Sequence, residues 1–361
     1  MKIKIQMNAL LFTFLLTLMA ASAFSQSEVR HHSVACEMDC NNDATPASVM
    51  ISHMHHRHEL MVSYRFMQMD MKGIASGITS VGSEEVYNDY IMSPDMMKMD
   101  MHMLMGMYGI SDRFTIMGMV NYNNSSMDMS LFTSDGHHHP GSTTTTTSRV
   151  HHMNTSGLGD IDLSGWYSLA NHLHSQLFIG TGLSIPTGSI HVKGNSDEFM
   201  YPNKNYPYMM QLGSGTFRWL QGLGYVYQNN KLNLGAQVSS RFSLGNNAVG
   251  YHIGNEASVN TWVAYQWLNQ ISSSIRLEGN IKDKIHGADP TLYAYNELSA
   301  NASNYGGKNM LIGLGTVVNF KKNILFFNRL GLEFSLPVYQ DLNGIQMKIN
   351  KYISFSLNSV L

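Results

Sequence analysis

The sequence predicts an all-β fold, a transmembrane antiparallel β-barrel of the outer-membrane type with about twelve strands. Three observations carry this prediction. An apolar run near the N-terminus is flanked like an export signal, the remaining sequence contains no apolar stretch near the ~20 residues of a membrane helix, and polar and apolar residues alternate in segment after segment. Only 13% of the residues are charged and 31 are glycine, a composition that does not favour a compact soluble core.

The N-terminal region predicts export. Lys2 and Lys4 precede the apolar run over residues 9–20, and small residues over 21–25 supply a cleavage site. Residues 1–25 are therefore predicted to be a signal peptide. Residues 26–57 are polar and rich in His and Cys and show no alternation, which predicts a mobile periplasmic tail. The barrel is predicted over residues 58–361.

Alternation of polar and apolar residues defines the predicted strands. Short connections, such as 110–112, alternate with longer ones, such as 130–156. Short periplasmic turns and long outer loops are typical of outer-membrane barrels, and they place both termini in the periplasm. The alternative is a soluble β-sandwich or lipocalin-like barrel, but strands of about 12 to 17 residues favour the membrane. The predicted strands are 59–72, 96–109, 113–129, 157–170, 174–186, 211–227, 231–243, 255–268, 270–282, 308–320, 325–338 and 348–359.

Aromatic residues, net charge and cysteine content further limit the class of protein and its partners. Trp262, Tyr265 and Trp267 lie close together in one predicted strand and suit an interfacial girdle. A net charge of −2 argues against a nucleic-acid partner. Cys36 and Cys40 are the two cysteines, too few for a disulfide framework. The expected partners are outer-membrane lipids and the barrel-assembly machinery.

Five segments resemble a known family. They read SGLGDIDLSGWYSL (156–169), LSIPTGSI (183–190), YPYMMQLGSGTF (206–217), GADP (287–290) and GLEFSLPVYQDLNGIQM (331–347). Together they resemble the outer-membrane transporter family named for the meta-pathway of phenol degradation, from about residue 58 to the end. The chain is most similar to Met- and His-rich members associated with metal handling. The resemblance implies a barrel and its location but not a solute. One departure is that the chain ends at Leu361, whereas outer-membrane barrels usually end in an aromatic residue.

Methionine is the most distinctive feature of the chain, which contains 28 Met and 17 His. Met occupies every odd position from Met97 to Met107, and in a strand these side chains share one face. Each of the two neighbouring predicted strands has one apolar face, which must meet lipid, and carries its Met residues on the other face. This predicts that the Met face of all three strands lines the lumen. Lys98, Asp100 and His102 then face outward, above the hydrocarbon. Two alternatives stay open: the stripe faces lipid, or Met packs a plugged interior without contacting a solute.

Thioether, imidazole and thiolate donors together suggest soft metal ions. Cu(I), Cu(II) or Ag(I) would be cargo, and no cofactor is required. The candidate metal-binding residues are Met67, Met69, Met71, Met97, Met99, Met101, Met103, Met117, Met119, Met127, Met129, His137, His138, His139, His151, His152, Cys36, Cys40, His53, His55, His56 and His58.

Three functions therefore compete. The first is an outer-membrane barrel that binds or transports soft metal ions, with periplasmic metal-efflux components as candidate partners. The second is a channel for small organic or hydrophobic solutes, in which Met forms a pliable apolar wall. The third is a barrel that buffers metal without transport. An enzyme is not expected, because no nucleophile signature is present and His172 and His174 lie in a short turn.

Overall fold

The computed structural model describes residues 43–131, 149–194, 203–294, 296–324 and 327–360. The predicted signal peptide, Cys36, Cys40, His137, His138 and His139 lie outside the described residues. The described part is dominated by strands. These are β1 (Leu60–Gly77), β2 (Thr79–Val81), β3 (Met92–Ser111), β4 (Phe114–Leu131), β5 (Arg149–Leu158), β6 (Ile161–His172), β7 (Ser175–Ile185), β8 (Arg218–Gln228), β9 (Leu232–Ser243), β10 (Tyr251–His252), β11 (Glu256–Leu268), β12 (Ile271–Lys282), β13 (His286–Gly287), β14 (Gly307–Ile324) and β15 (Phe327–Val360).

The strands form a closed antiparallel barrel. Eleven strands follow one another around the barrel in the order β1, β3, β4, β6, β7, β8, β9, β11, β12, β14 and β15, and β15 pairs with β1 to close it. Two more strands belong to this sheet. β2 pairs with β1, and β5 pairs with the C-terminal half of β4, whose N-terminal half pairs with β6. The all-β antiparallel barrel predicted from alternation is confirmed.

The predicted count of twelve strands is not confirmed. The two predicted strands at 325–338 and 348–359 form one continuous element of 34 residues, β15. Its first half pairs with β14 and its second half with β1, and the change of partner falls near Leu342. Gly344 has a φ of 65° there, a left-handed conformation that glycine adopts without steric cost.

Strand alternation separates an apolar exterior from the interior. On β3 Leu104 is 56% exposed, whereas its neighbours Met103 and Met105 are 3% and 4% exposed. The same pattern places Ile275 and Leu314 on the outside of β12 and β14. An outer surface that exposes many large apolar side chains is unfavourable in water and matches the lipid-facing band of an outer-membrane barrel.

The two ends of the barrel differ. Connections at 112–113, 173–174 and 269–270 are short, and we call this end the turn end. The opposite end, the loop end, carries the connections 186–217 and 283–306 among others. In the described ranges the helical segments are short: α1 spans Ser83–Val86, and two single 3₁₀ turns span Tyr208–Met210 and Leu298–Ala300. None of the described helices is long and apolar enough to cross a membrane.

Two predicted irregular regions are ordered instead. β5 occupies part of the predicted loop 130–156, because the C-terminal half of β4 supplies its hydrogen-bonding partner. Residues 43–57 were expected in a mobile tail, and this expectation is wrong for them. They lie inside the barrel at its turn end, where strand side chains bind their backbone. We call residues 43–57 the plug segment.

Candidate functional site in the barrel interior

Inward-facing methionines line one side of the barrel. On β1, β3 and β4 they alternate with outward Leu, Ile, Val and aromatic side chains. The prediction that the odd-numbered stripe on β3 faces the interior is confirmed by its burial. We call the inward methionines of these strands and of β5 the methionine wall: Met61, Met67, Met69, Met71, Met97, Met99, Met101, Met103, Met105, Met107, Met117, Met119, Met127, Met129 and Met153.

The wall is densest at the loop end. There Met71 pairs with Met97, Met97 with Met127, and Met127 with Met153, so four adjacent strands place a methionine in the same row. We call these four residues the methionine rung. Met97, Met127 and Met153 are fully buried, and Met71 is 8% exposed. The rung belongs to a buried cluster that is completed by Met92, Met129, Leu131, Tyr206, Met210 and Met347.

Half-buried methionines continue the wall between the two ends. Met67 faces Met101, and Met69 faces Met99, across the β1 and β3 pair. On β4, Asn121 and Asn123 lie on the inward face. They separate Met117 and Met119, which are nearer the turn end, from Met127 and Met129, which are nearer the loop end. Thioethers therefore line the interior continuously along β3, whereas on β1 Ser63 and Arg65 separate Met61 from Met67, Met69 and Met71.

At the turn end, the methionine wall packs against the plug segment. Met103, Met105 and Met107 form a buried cluster with Val49 and Ile51 of the plug. A small cavity with room for about one water-sized particle remains between them. It is lined by Met50, Ser63, Arg65, Met103, Met105 and Met119.

Interior side chains around the circumference bind the plug backbone. The Gln176 Oε1 atom accepts the Met54 N–H at 2.8 Å, and the Thr115 Oγ1 atom accepts the His55 N–H at 3.2 Å. Arg65 donates to the Val49 carbonyl oxygen at 2.8 Å. Because the donors and acceptors come from strands all around the barrel, the plug spans the interior. Asn233 bonds the Thr45 side chain. Further contacts with the plug backbone come from Gln237, Asn319, Arg329 and Glu333.

The side of the barrel opposite the methionine wall is charged. The buried Arg276 guanidinium lies 2.8 Å from the Glu333 carboxylate and also contacts Glu278. Nearer the loop end, Arg241 of β9 lies 3.1 Å from the buried carboxylate of Asp162, which is on β6 and borders the methionine wall. Because each buried charge has an oppositely charged partner, it keeps hydrogen bonds in place of those that water would make. Two further arginine and lysine contacts converge on Glu256, from Arg218 at 3.3 Å and from Lys282 at 3.7 Å.

The predicted outward residues of β3 lie beside the outer apolar band. Lys98 and Asp100 are 3.4 Å apart, and the Tyr64 hydroxyl hydrogen-bonds the His102 Nδ1 atom at 2.8 Å. Asp70 on β1 pairs with Lys351 at 3.2 Å. These polar groups lie on the loop-end side of Leu104, where an interfacial position is less costly for a charge than the centre of the membrane.

The predicted histidine ligands are dispersed. His151 lies opposite Met129 on the interior face, whereas the His152 Nδ1 atom bonds the Asp128 carboxylate at 2.6 Å on the outside. In the plug the rings of His53 and His55 lie 4.9 Å apart. At the turn end His56 lies 3.7 Å from Asp112, and His58 bonds the Tyr108 hydroxyl. Among the described residues, His, Cys, Asp and Glu form no group of three that could hold a metal ion.

Two buried side chains of the plug segment, His53 and Asp43, have shifted pKa values. Burial lowers the pKa of His53 to about 4, and the neighbouring His55 lowers it further, whereas Asp43 acts in the opposite direction. Burial alone would raise the pKa of Asp43, but Arg329, His53 and hydrogen bonds from Thr45 outweigh it and lower the pKa to about 2. At neutral pH the plug therefore contains a neutral His53 and an ionised Asp43.

Several interior residues escaped the sequence-based prediction. Met153 lies in an unpredicted strand, and Met61, Met105 and Met107 were not included among the candidate ligands although they belong to the same wall. The charged side opposite the wall could have been found from alternation, because Arg276 and Glu333 each lie between outward apolar residues. Many plug contacts join residues more than 100 positions apart, such as Met54 and Gln176, and carry no local signal.

The fold is that of outer-membrane channels. A crystal structure of an outer-membrane channel from Pseudomonas putida F1 matches 88% of this chain and 100% of its own, with a TM-score of 0.55 and 14% identity. At this identity the match shows the fold alone. A Pseudomonas aeruginosa FadL homologue has a TM-score of 0.36 and 13% identity, over 84% of this chain and 89% of its own. The Pseudomonas putida toluene transporter TodX has a TM-score of 0.37 and 10% identity, over 83% and 89%.

Sequence comparison adds no family. No protein-family model matches the chain, and no curated protein matches it significantly. The resemblance to the meta-pathway family therefore stays a prediction, and the function must be argued from the interior.

Proposed function

We propose that the protein is an outer-membrane channel for small apolar or amphipathic organic solutes, closed at its turn end by the plug segment. In this proposal the two halves of β15 cross the membrane separately. A single strand of 34 residues would extend to about 110 Å at ~3.3 Å per residue, far beyond a hydrocarbon core of ~30 Å. The barrel then has twelve crossings, with both ends of the barrel sequence on the periplasmic side.

The observation that carries this proposal is the apolar inward face of β3 and of the loop-end half of β1. Barrels that conduct water-soluble solutes have polar interiors, whereas here thioethers line β3 from Met97 to Met107 and β1 from Met67 to Met71. Unbranched thioether side chains adapt to differently shaped apolar ligands. The charged side formed by Arg276, Glu333 and their neighbours gives the interior a polar face as well, which suits a solute with one polar group.

The plug supports regulated rather than continuous passage. Its backbone is bound by side chains such as Arg65, Gln176 and Thr115, which a solute would have to bypass at the turn end. We therefore expect passage to require displacement of part of the plug segment. A solute would enter at the loop end and leave when the plug moves.

Uptake of an apolar solute by cells that carry the protein tests the proposal. Met67 and Met101 face each other in the half-buried part of the wall, so the double variant Met67→Gln/Met101→Gln places two amides on the path. We expect it to reduce uptake of a small apolar compound about tenfold, because each amide must be desolvated by the passing solute.

Two control variants sharpen this experiment. Met67→Leu/Met101→Leu preserves apolarity and should retain uptake, and Met96→Gln changes an outward methionine that is 48% exposed. The amount of folded barrel is compared by heat-modifiable migration. Equal uptake by the Gln and Leu double variants, at equal folded amounts, would contradict passage along the methionine wall.

A further inference from the structure

We propose that the methionine rung binds one soft monovalent cation, Cu(I) or Ag(I), through the thioethers of Met97, Met127 and Met153. This site does not depend on passage of an organic solute. It goes beyond the proposed channel, because it assigns a specific ligand chemistry to one row of the wall.

The pairing register brings the donors together. Met127 lies directly opposite Met97 on one side and Met153 on the other. Directly opposed residues of antiparallel strands have Cβ atoms about 4.5–5.5 Å apart, and the inward curvature of a barrel brings the ends of long side chains closer still. Met127 is therefore the central donor, and the flanking thioethers can reach the same ion. All three side chains are fully buried.

The choice of residue on the two faces indicates that sulfur, and not only apolar bulk, is used here. The outward positions of β3 and β4 hold residues such as Leu104, Ile110, Ile116 and Val120, whereas their inward apolar positions are almost all methionine. Leu, Ile and Val specify a packed interior better than Met does. A row of methionines on the inward face is what a thioether site requires.

Thioethers select the ion. They bind soft Cu(I) and Ag(I) and bind Zn²⁺ or Mg²⁺ weakly. Since they carry no proton at any physiological pH, binding needs no deprotonation. His151 lies opposite Met129, one step nearer the loop end, and its imidazole can serve as an entry ligand.

The lower part of the wall is a poorer candidate. Its small cavity also has several sulfur atoms around it, but Arg65 lines the same space. A buried guanidinium repels a cation in a medium of low dielectric constant. This difference makes the lower methionines a matched control for the rung.

Ag(I) and Cu(I) titrations of the full chain in detergent, against a competing chelator, test the site. Cys36→Ser and Cys40→Ser form the background of every sample, because thiolates bind soft ions more tightly than thioethers do. Met97→Leu/Met127→Leu/Met153→Leu should weaken the binding of one equivalent about 100-fold or more, since it removes all three donors. The control Met103→Leu/Met105→Leu/Met119→Leu should leave that affinity unchanged. Metal affinity is also measured on Met67→Gln/Met101→Gln, which tests the channel but keeps all three rung donors, so failure of the metal site and failure of the channel are distinguishable.

A second measurement does not depend on folding of the triple variant. With methyl-¹³C methionine in the background protein, one equivalent of Ag(I) should shift the methyl signals of Met97, Met127 and Met153 and not those of Met103 and Met105. Unchanged rung signals, or an equal affinity of the folded rung variant, would overturn the proposal.

Discussion

The Arg65 guanidinium donates a hydrogen bond to the Val49 carbonyl oxygen at 2.8 Å and a second to the Ser48 carbonyl at 3.2 Å. Arg65 is 7% exposed and faces inward from β1. A charged donor in this position binds the plug more strongly than a neutral group would. The pair Arg65 and Val49 therefore joins the wall of the barrel directly to the segment that occupies its turn end.

Replacing Arg65 by Met should loosen the plug. The plug carbonyls lose a charged donor that is worth about 1.5–3 kcal/mol, so opening of residues 43–57 should become at least about tenfold more frequent. Amide hydrogen exchange of peptides from the plug measures this directly. Arg241→Met, which removes an interior arginine that binds Asp162 instead of the plug, is the control. Unchanged exchange in Arg65→Met would show that the plug is held by other contacts.

Acidification should also release the plug. Burial lowers the pKa of His53 from its ordinary 6.5 to about 4, so the docked state binds fewer protons than the released state between these values. Docking is therefore fully stable above about pH 6.5 and loses up to about 3 kcal/mol as the pH falls to 4. Ionised Asp43, with its pKa lowered to about 2, adds a further loss only at more acidic pH.

The pH dependence of plug exchange tests this prediction. In His53→Gln, which cannot take up a proton, the increase in plug opening between pH 6.5 and 4 should be much smaller than in the unchanged protein. His58→Gln is the control, because His58 lies at the exposed turn end and bonds Tyr108. The same pH profile in both variants would assign the effect to other groups.

Glu333→Gln should destabilise the barrel. It removes a buried carboxylate 2.8 Å from Arg276 and leaves that guanidinium with Glu278 as its remaining charged partner. Loss of one partner of a buried ion pair typically costs about 3 kcal/mol. Urea unfolding in lipid vesicles measures the change. Arg276→Met added to Glu333→Gln should recover part of the loss, and a double variant that is less stable than the single one would contradict this explanation.

Two glycines provide a packing test with a matched control. A Cβ atom at Gly222 would lie 2.3 Å from the Trp166 ring, whereas one at Gly106 would meet nothing within 4 Å. Gly222→Ala should therefore lower the free energy of unfolding by about 1–3 kcal/mol through overpacking. Gly106→Ala should change it by less than about 0.5 kcal/mol. Equal effects in urea unfolding would show that the indole can move aside.

Alternation in the sequence predicted most of the barrel. It assigned the strand pairs around 112–113 and 269–270. It also assigned the inward direction of Met97 to Met107, because the two neighbouring strands each have an apolar face that must meet lipid and carry their own Met residues on the other face. β5 escaped prediction, since its polar sequence is held by pairing with β4. The plug escaped as well: its polar composition resembles a mobile tail, and only distant partners such as Gln176 and Glu333 fix it inside.

The most direct test locks the plug to the barrel reversibly. A Cβ atom at Gly331 would lie 3.0 Å from the Cβ atom of Ala47 in the plug and 2.7 Å from the Ser356 Oγ atom. Rotation of the Ser356 hydroxyl and a shift of the plug by somewhat less than ~1 Å give the ~3.8 Å of a disulfide. Ala47→Cys/Gly331→Cys, with Cys36 and Cys40 replaced by Ser, should form this bond on oxidation, and each single variant is a control.

Uptake of a small apolar solute is then measured in cells before and after reduction. The proposed channel predicts uptake by the reduced variant, little uptake by the oxidised variant and no effect of reductant on the single variants. Uptake by the reduced variant that does not exceed that of cells lacking the protein would contradict the channel itself.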